Sequence, residues 1–313
     1  MTARRISSSW CLATLLALAA TASILRSALA QNAPAAAVAA QAIAPVRLLV
    51  AHPVVAALTH TLVRETGMVV LRPVPETLPA NRQQAFFAGR GAVALGDAAR
   101  QADAVIGLRS IWPDDPLFPL ARRQNIRLIE IDAARPLDAS LPGMALQELG
   151  ASANALPWLD PVNLGRMVDV IAGDLARLAP SAKLRLQANA TTLRQQILAT
   201  TAQSEARLAG ANNLAVFSLS DRLDYLVSGF NLDLMGVDAR DDEAWTTEAL
   251  GALVLRLRSA SVRTVLSHRE LPPALAQAMQ QAGVLIIVLL TEGRDPLGEL
   301  RENSRRLGVI AAP

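Results

Sequence analysis

The chain has 313 residues, of which 52% are apolar, 18% charged and 3% aromatic, and Lys+Arg number 30 against 27 Asp+Glu. The whole surplus of positive charge lies in residues 1–30, which hold Arg4, Arg5 and Arg26 and no acid. The neutral remainder argues against a nucleic-acid protein, whose phosphate contacts need clustered positive charge, and the apolar content argues against disorder.

Residues 1–30 read as a secretory signal. Arg4 and Arg5 open it, Trp10 to Leu25 is uncharged and mainly apolar, and Ala28-Leu29-Ala30 offers a small-x-small cleavage site before Gln31. A membrane anchor is the rival reading, but the run is short for a span and diluted by alanine and threonine. Cleavage is expected after Ala30. Cys11, the one cysteine of the chain, leaves with this segment, so the mature protein has no disulfide and no thiolate metal site. Residues 31–45 are Ala- and Pro-rich without charge, which suits a linker.

From Val46 short apolar runs alternate with amphipathic stretches. Strands are expected at 46–51, 68–74, 104–108 and 127–131, with helices near 54–65, 92–101 and 117–124 between them. The scheme repeats with strands at 214–219, 234–237, 263–267 and 284–290 and helices near 221–227, 242–259, 272–281 and 297–307. Continuous apolar strands joined by helices indicate buried parallel sheets. The expected fold is α/β, with two lobes, each a parallel sheet flanked by helices: an N-terminal lobe at 46–162 and a C-terminal lobe at 211–313. Between them, 163–210 reads as a helical connector. Leu164, Met167, Val168, Ile171, Leu175 and Leu178 share a helix face, Pro180 ends that helix, Ser181 is placed to cap the next, and 182–208 runs without Gly or Pro. A helix of that length spans about 40 Å, enough to join the lobes and stiff enough to limit their closure. Small-angle scattering curves of the mature protein with and without ligand are therefore expected to superimpose closely.

The run Asn154-Ala155-Leu156-Pro157-Trp158-Leu159-Asp160-Pro161 resembles the N-P-H-x-W-L-D-P segment of periplasmic zinc- and manganese-binding proteins, the solute-binding subunits of ABC importers. Residues 175–197 are similar to that family's junction and long backbone helix with its Asn, 217–237 to its H-D-x-x-x-Y and Phe-Gly-Leu strand pattern, and 262–289 to its V-x-x-I-F-x-E-P-Q-x-S segment. The resemblance implies periplasmic location, a ligand cleft between the lobes, transport of a divalent ion such as Zn²⁺ or Mn²⁺, and an inner-membrane ABC permease as partner. It implies a monomeric chain that is not an enzyme and binds no nucleic acid.

The family holds its ion with three His and a carboxylate, a donor set suited to borderline cations. At the matching positions the loop after the second strand has no His, Leu156 and Ser220 stand where His is usual, His268 stands at a carboxylate position, and Thr291 at the last Asp. Asp221 follows Ser220, Glu292 follows Thr291, and Asp295-Pro296-Leu297-Gly298 resembles a terminal D-P-L-G run. The resemblance thus points to a metal site with altered ligands, His268, Glu292, Asp295 and Asp221. The alternative is a relative that binds an organic ligand, a metal chelate or a protein partner without direct metal coordination.

Other residues carry two readings each. His268 is either a ligand or a strand-end histidine bonded to backbone carbonyls. His52 ends the first strand and either contacts ligand in the cleft or caps the next helix. His60, mid-helix, reads as a surface or packing residue. The stretch 73–91 is either a lid, with Arg82 and Arg90 meeting an anionic or chelated ligand through forked hydrogen bonds, or a solvated loop with Phe86 and Phe87 packed beneath. Trp112, Asp114 and Asp115 either line the cleft or cap the next helix. Ser220 joins His52, Arg82 and Trp112 as a cleft candidate. No G-x-S-x-G, G-x-x-x-x-G-K-[ST] or H-E-x-x-H motif favours an enzyme.

Overall fold

The parallel strands expected from apolar runs pair as two separate four-stranded sheets. The structure is a computed structural model and describes residues 44–138, 141–146 and 154–311. The signal, its cleavage point after Ala30 and nearly all of the linker lie outside the described residues, and from Pro45 the chain clusters as one unit.

The first sheet contains β1 (Arg47–Val50), β2 (Val69–Leu71), β3 (Ala104–Gly107) and β4 (Ile129–Asp132), in the order β2-β1-β3-β4, all parallel. The second contains β5 (Ala215–Ser218), β6 (Asp233–Val237), β7 (Thr264–Ser267) and β8 (Leu285–Val288), in the order β6-β5-β7-β8, again all parallel. In register, Leu49 pairs with Val105 and Phe217 with Val265. The central strands β1, β3, β5 and β7 are covered on both faces, as their apolar runs require. The edge strands β2 and β6 are not, and Val69, Leu234, Met235 and Val237 remain exposed.

The helices are α1 (Pro53–Leu62), α2 (Gln83–Ala88), α3 (Ala92–Gln101), α4 (Leu117–Arg122), α5 (Pro161–Leu178), α6 (Lys183–Leu208), α7 (Asp224–Gly229), α8 (Thr247–Ser259), α9 (Pro273–Gln281) and α10 (Pro296–Leu307). Helix bounds shift by a few residues from the sequence expectation, and three departures go further. The stretch 73–91 contains α2, where a loop was expected. Helix α8 starts at Thr247 rather than 242, because Thr246 caps it by accepting from Ala249 N at 3.2 Å. Ser181 does not cap α6. It lies in a 3₁₀ turn, Pro180–Ala182, that leads into the helix.

Helix α6 has 26 residues, about 39 Å at 1.5 Å per residue. Leu186, Ala190, Leu193, Ile197, Thr200, Ser204 and Leu208 recur every three or four residues and form its buried face. This face packs on α5, on α1 beside the first sheet and on α10 beside the second, so one rigid element braces both sheets. Asn189 strengthens the brace: its Nδ2 donates to Leu62 O at 2.8 Å and Arg64 O at 2.9 Å, satisfying carbonyls at the end of α1. Asn189→Ala leaves those carbonyls without this partner and is expected to cost about 2 kcal/mol, read as a lower urea midpoint at unchanged m-value.

Candidate functional site

In both sheets the chain leaves the central pair of strands in opposite directions, so β1/β3 and β5/β7 are switch points. Open parallel sheets bind ligands outside the carboxyl ends of such strands. His52 follows β1, Trp112 follows β3, Ser220 follows β5 and His268 follows β7. A cavity of about 470 Å³ lies there, and its walls include His52, Arg82, Trp112, Trp158, Arg222 and Glu292.

His52 occupies the N-cap position of α1 but makes no side-chain cap bond, so the capping role does not apply. Its ring is 6% exposed and lies edge-on to two indoles, with centroids 4.9 Å from Trp158 and 5.7 Å from Trp112. Burial first, and the Arg72 guanidinium second, pull its pKa down to about 3, so the imidazole is neutral near pH 7. His52 Nδ1 and Trp158 Nε1 are buried without a hydrogen-bond partner among the described residues.

Trp112 is placed by a turn that Asp115 organises. Asp115 Oδ2 accepts from Leu108 N at 3.1 Å and Oδ1 from Leu117 N at 3.0 Å, which starts α4. Gly107 permits this: a Cβ there would lie 2.7 Å from Asp115 Oδ2. Asp115 therefore caps, while Asp114 is exposed and lines no part of the cavity.

Arg82 is exposed and precedes α2, which Gln83 fastens beneath the cleft by donating from Nε2 to Ala51 O at 2.9 Å. Arg222 comes from the opposite sheet, after β5. Among the described residues neither guanidinium has an ion-pair partner. Glu292 does, with Arg294 at 3.2 Å. The loop after β8 reaches across to the first sheet through Gly293, which has φ +70° and stands so close that a Cβ would lie 3.2 Å from Val54 Cβ and 3.5 Å from Trp158 Nε1. Buried Glu299 holds this loop, accepting from Gly293 N at 2.9 Å and Arg294 N at 3.1 Å.

The four candidate metal ligands are not gathered. His268 Nδ1 lies 2.7 Å from Ser220 Oγ, which also accepts from Arg222 N at 3.2 Å; its partner is thus a hydroxyl and not a backbone carbonyl. Burial, then Arg222 and Arg269, lower the pKa of His268. Asp221 accepts from Asn154 Nδ2 at 2.5 Å. Asp295 caps α10, accepting from Gly298 N at 3.0 Å, and borders a different cavity with Leu193 and Gln196. Glu292 alone of the four lines the 470 Å³ cavity. Among the described residues no group of three or more His, Asp or Glu is arranged to hold a metal ion. Of the cleft candidates, His52, Arg82 and Trp112 line the cavity, and Ser220 lies buried beneath Arg222. Arg90 does not line it, and His60 is exposed on α1.

Sequence reasoning missed Arg222 and Trp158 as wall residues and Gln83 as the anchor of α2. The first two had a signal, since both stand two residues from positions where the resemblance places ligands. A buried glutamine inside a proline-rich stretch has none.

The match to known proteins agrees with this geometry. Residues 95–304 match the family model of ZnuA, the zinc-uptake complex component A, periplasmic. No curated protein matches the chain. Solved structures share the fold. FpvC from Pseudomonas aeruginosa in complex with Ni²⁺ is 18% identical, with a TM-score of 0.60 over 85% of this chain and 96% of that one. A Mn-bound periplasmic metal-binding protein from Candidatus Liberibacter asiaticus is 12% identical, with a TM-score of 0.63 over 85% and 99%. The Zn(II)-bound ZnuA-like domain of Streptococcus pneumoniae AdcA is 15% identical, with a TM-score of 0.63 over 86% and 100%. The chain belongs to the ZnuA family of periplasmic solute-binding proteins of ABC uptake systems, which are not enzymes.

Proposed function

We propose that the protein is the solute-binding component of a metal-type ABC importer and that its cleft takes an anionic organic ligand, with or without a chelated metal, rather than a bare ion. The observation that carries this reading is the pair of guanidiniums, Arg82 and Arg222, that have no ion-pair partner among the described residues and reach one cavity from the sides of the two sheets. Guanidiniums match carboxylates, sulfonates and phenolates through forked hydrogen bonds. Trp112 and Trp158 add flat apolar surface for a ring. A cavity of about 470 Å³ falls within the usual range for small organic ligands. A bare zinc ion instead needs nitrogen and oxygen donors converging at roughly 2.0–2.2 Å.

In this reading the metal of the family arrives with its coordination filled mainly by the chelator. Export with cleavage after Ala30 delivers the protein to the periplasm, where it acts as a monomer and passes its cargo to an inner-membrane permease. A second reading keeps a bare ion on His268 with Asp221 and Glu292, which would have to be brought together by movement of their loops; it is favoured by the charges of both carboxylates, which oppose the lowering of the His268 pKa.

Titration calorimetry on the metal-stripped mature protein separates the two. The zinc complex of 8-hydroxyquinoline-5-sulfonate, an anionic aromatic chelate, is expected to bind at micromolar level or tighter, and zinc, manganese and nickel chlorides to give no saturable heat. Tight uptake of a bare ion, abolished by His268→Ala, would overturn the proposal.

A further inference from the structure

A second cavity, of about 590 Å³, adjoins the first, and Pro79 and Arg82 line both. Its other walls are Leu78, Ala85, Phe86 and Arg90. All of it comes from the stretch 78–90.

This stretch is held firmly. Phe87 is 3% exposed and packs in the core with Leu95 and Leu117, while Gln83 fixes α2 to the end of β1. Adjacent Phe86 points elsewhere and stays half-buried on the groove. Gly91 makes room for it, since a Cβ at Gly91 would overlap the Phe86 ring. The Arg90 guanidinium lies over that ring, 5.3 Å from its centroid, and has no ion-pair partner among the described residues. Stacking of this kind orients a guanidinium and leaves its edge donors available. The groove is thus a strip of Leu78, Pro79 and Phe86 between two cations, Arg82 and Arg90, without ion pairs among the described residues, one of which already belongs to the cleft.

We infer that cleft and groove act as one elongated site. The ligand has a flat anionic head between the tryptophans, passes Arg82, lays an apolar linker of a few carbons on Pro79 and Phe86, and ends in a second anionic group at Arg90. This rests on the reading of the cleft as a site for an organic anion, and it adds the length of the ligand and the position of its second charge.

Two probes test it on the mature protein. The first is the zinc complex of 8-hydroxyquinoline-5-sulfonate. The second keeps the 5-sulfonate and carries 6-aminohexanoate joined to the ring as a 7-carboxamide, which adds an apolar chain ending in a carboxylate. The tailed complex is expected to bind about tenfold tighter than the first. Arg90→Ala and Phe86→Ala should each remove that gain and leave binding of the untailed complex unchanged. Gly91→Ala, which displaces the Phe86 ring without deleting it, should do the same. Equal affinity of the two probes for the wild type, or a gain that survives in Arg90→Ala, would overturn the elongated site while leaving the cleft reading intact. Failure of the untailed complex to bind the wild type would overturn the cleft reading, and the elongated site with it.

Discussion

Replacing Arg82 and Arg222 together by alanine is expected to weaken binding of the zinc complex of 8-hydroxyquinoline-5-sulfonate by about a hundredfold or more, and each single replacement by about tenfold. A hydrogen bond to a charged group contributes about 1.5–3 kcal/mol, which is roughly ten- to hundredfold in affinity. Among the described residues neither guanidinium holds an ion pair, and Arg82 is exposed, so their removal should leave the melting temperature nearly unchanged. Lysine at either position retains the charge but not the fork, and should give intermediate losses. The two residues stand in connections that follow strands of different sheets, so the single effects should add unless both grip the same oxygen-bearing group. Coupling beyond about 0.5 kcal/mol in the double-mutant cycle would reveal that shared grip. Calorimetry at two salt concentrations supplies an independent check, because exposed Arg82 should lose much of its effect at high ionic strength.

The second large effect concerns acid stability and one buried ring. The folded chain holds the pKa of His52 at about 3, whereas an unfolded histidine titrates near about 6.5. Between those values the unfolded chain carries a proton that the folded chain does not, so stability rises with pH across the window. The contribution is fully present above about pH 6.5 and is lost as pH falls toward 3, by an amount on the order of 5 kcal/mol. His52→Gln removes the titrating ring. The difference in stability between wild type and variant, measured by urea unfolding at a series of pH values, should shrink steadily below about pH 6.5. Asp115, Asp160, Asp174 and Glu299 have raised pKa values, mainly through burial, and work in the opposite direction. They are common to both proteins, so the comparison isolates His52. A constant difference across the range would show that His52 is not held neutral by the fold.

The strands were legible as short, mainly apolar runs between turn residues, most clearly β1, β3, β5 and β7, whose apolar residues have a stable place inside a sheet covered on both faces. Helix α6 was legible from the absence of Gly and Pro over its length. Helix α2 was not, because six residues between Pro79 and Gly89 carry no readable period; it forms because Gln83 and Phe87 find buried partners, which is tertiary information. The same limit applies to the site. His52, Arg82 and Trp112 stand at strand ends or in loops that a parallel sheet directs to its ligand edge. Asp295 was misleading for a reason also present in the sequence: an Asp followed by Pro, with Glu299 in the first turn, is a helix start, and the structure uses it as one. Arg222 had a signal in its place two residues after Ser220, but that it faces Arg82 across one cavity is tertiary information.

Native mass spectrometry of the mature protein, purified without chelators from cells that export it to the periplasm, tests the cargo most directly. An anionic organic ligand predicts a bound mass well above that of one metal ion, with or without the metal's isotope signature, and its absence from the Arg82→Ala, Arg222→Ala double variant. A bound mass of a single metal ion and nothing more, retained in the double variant and lost in His268→Ala, would contradict a cleft built for an organic anion.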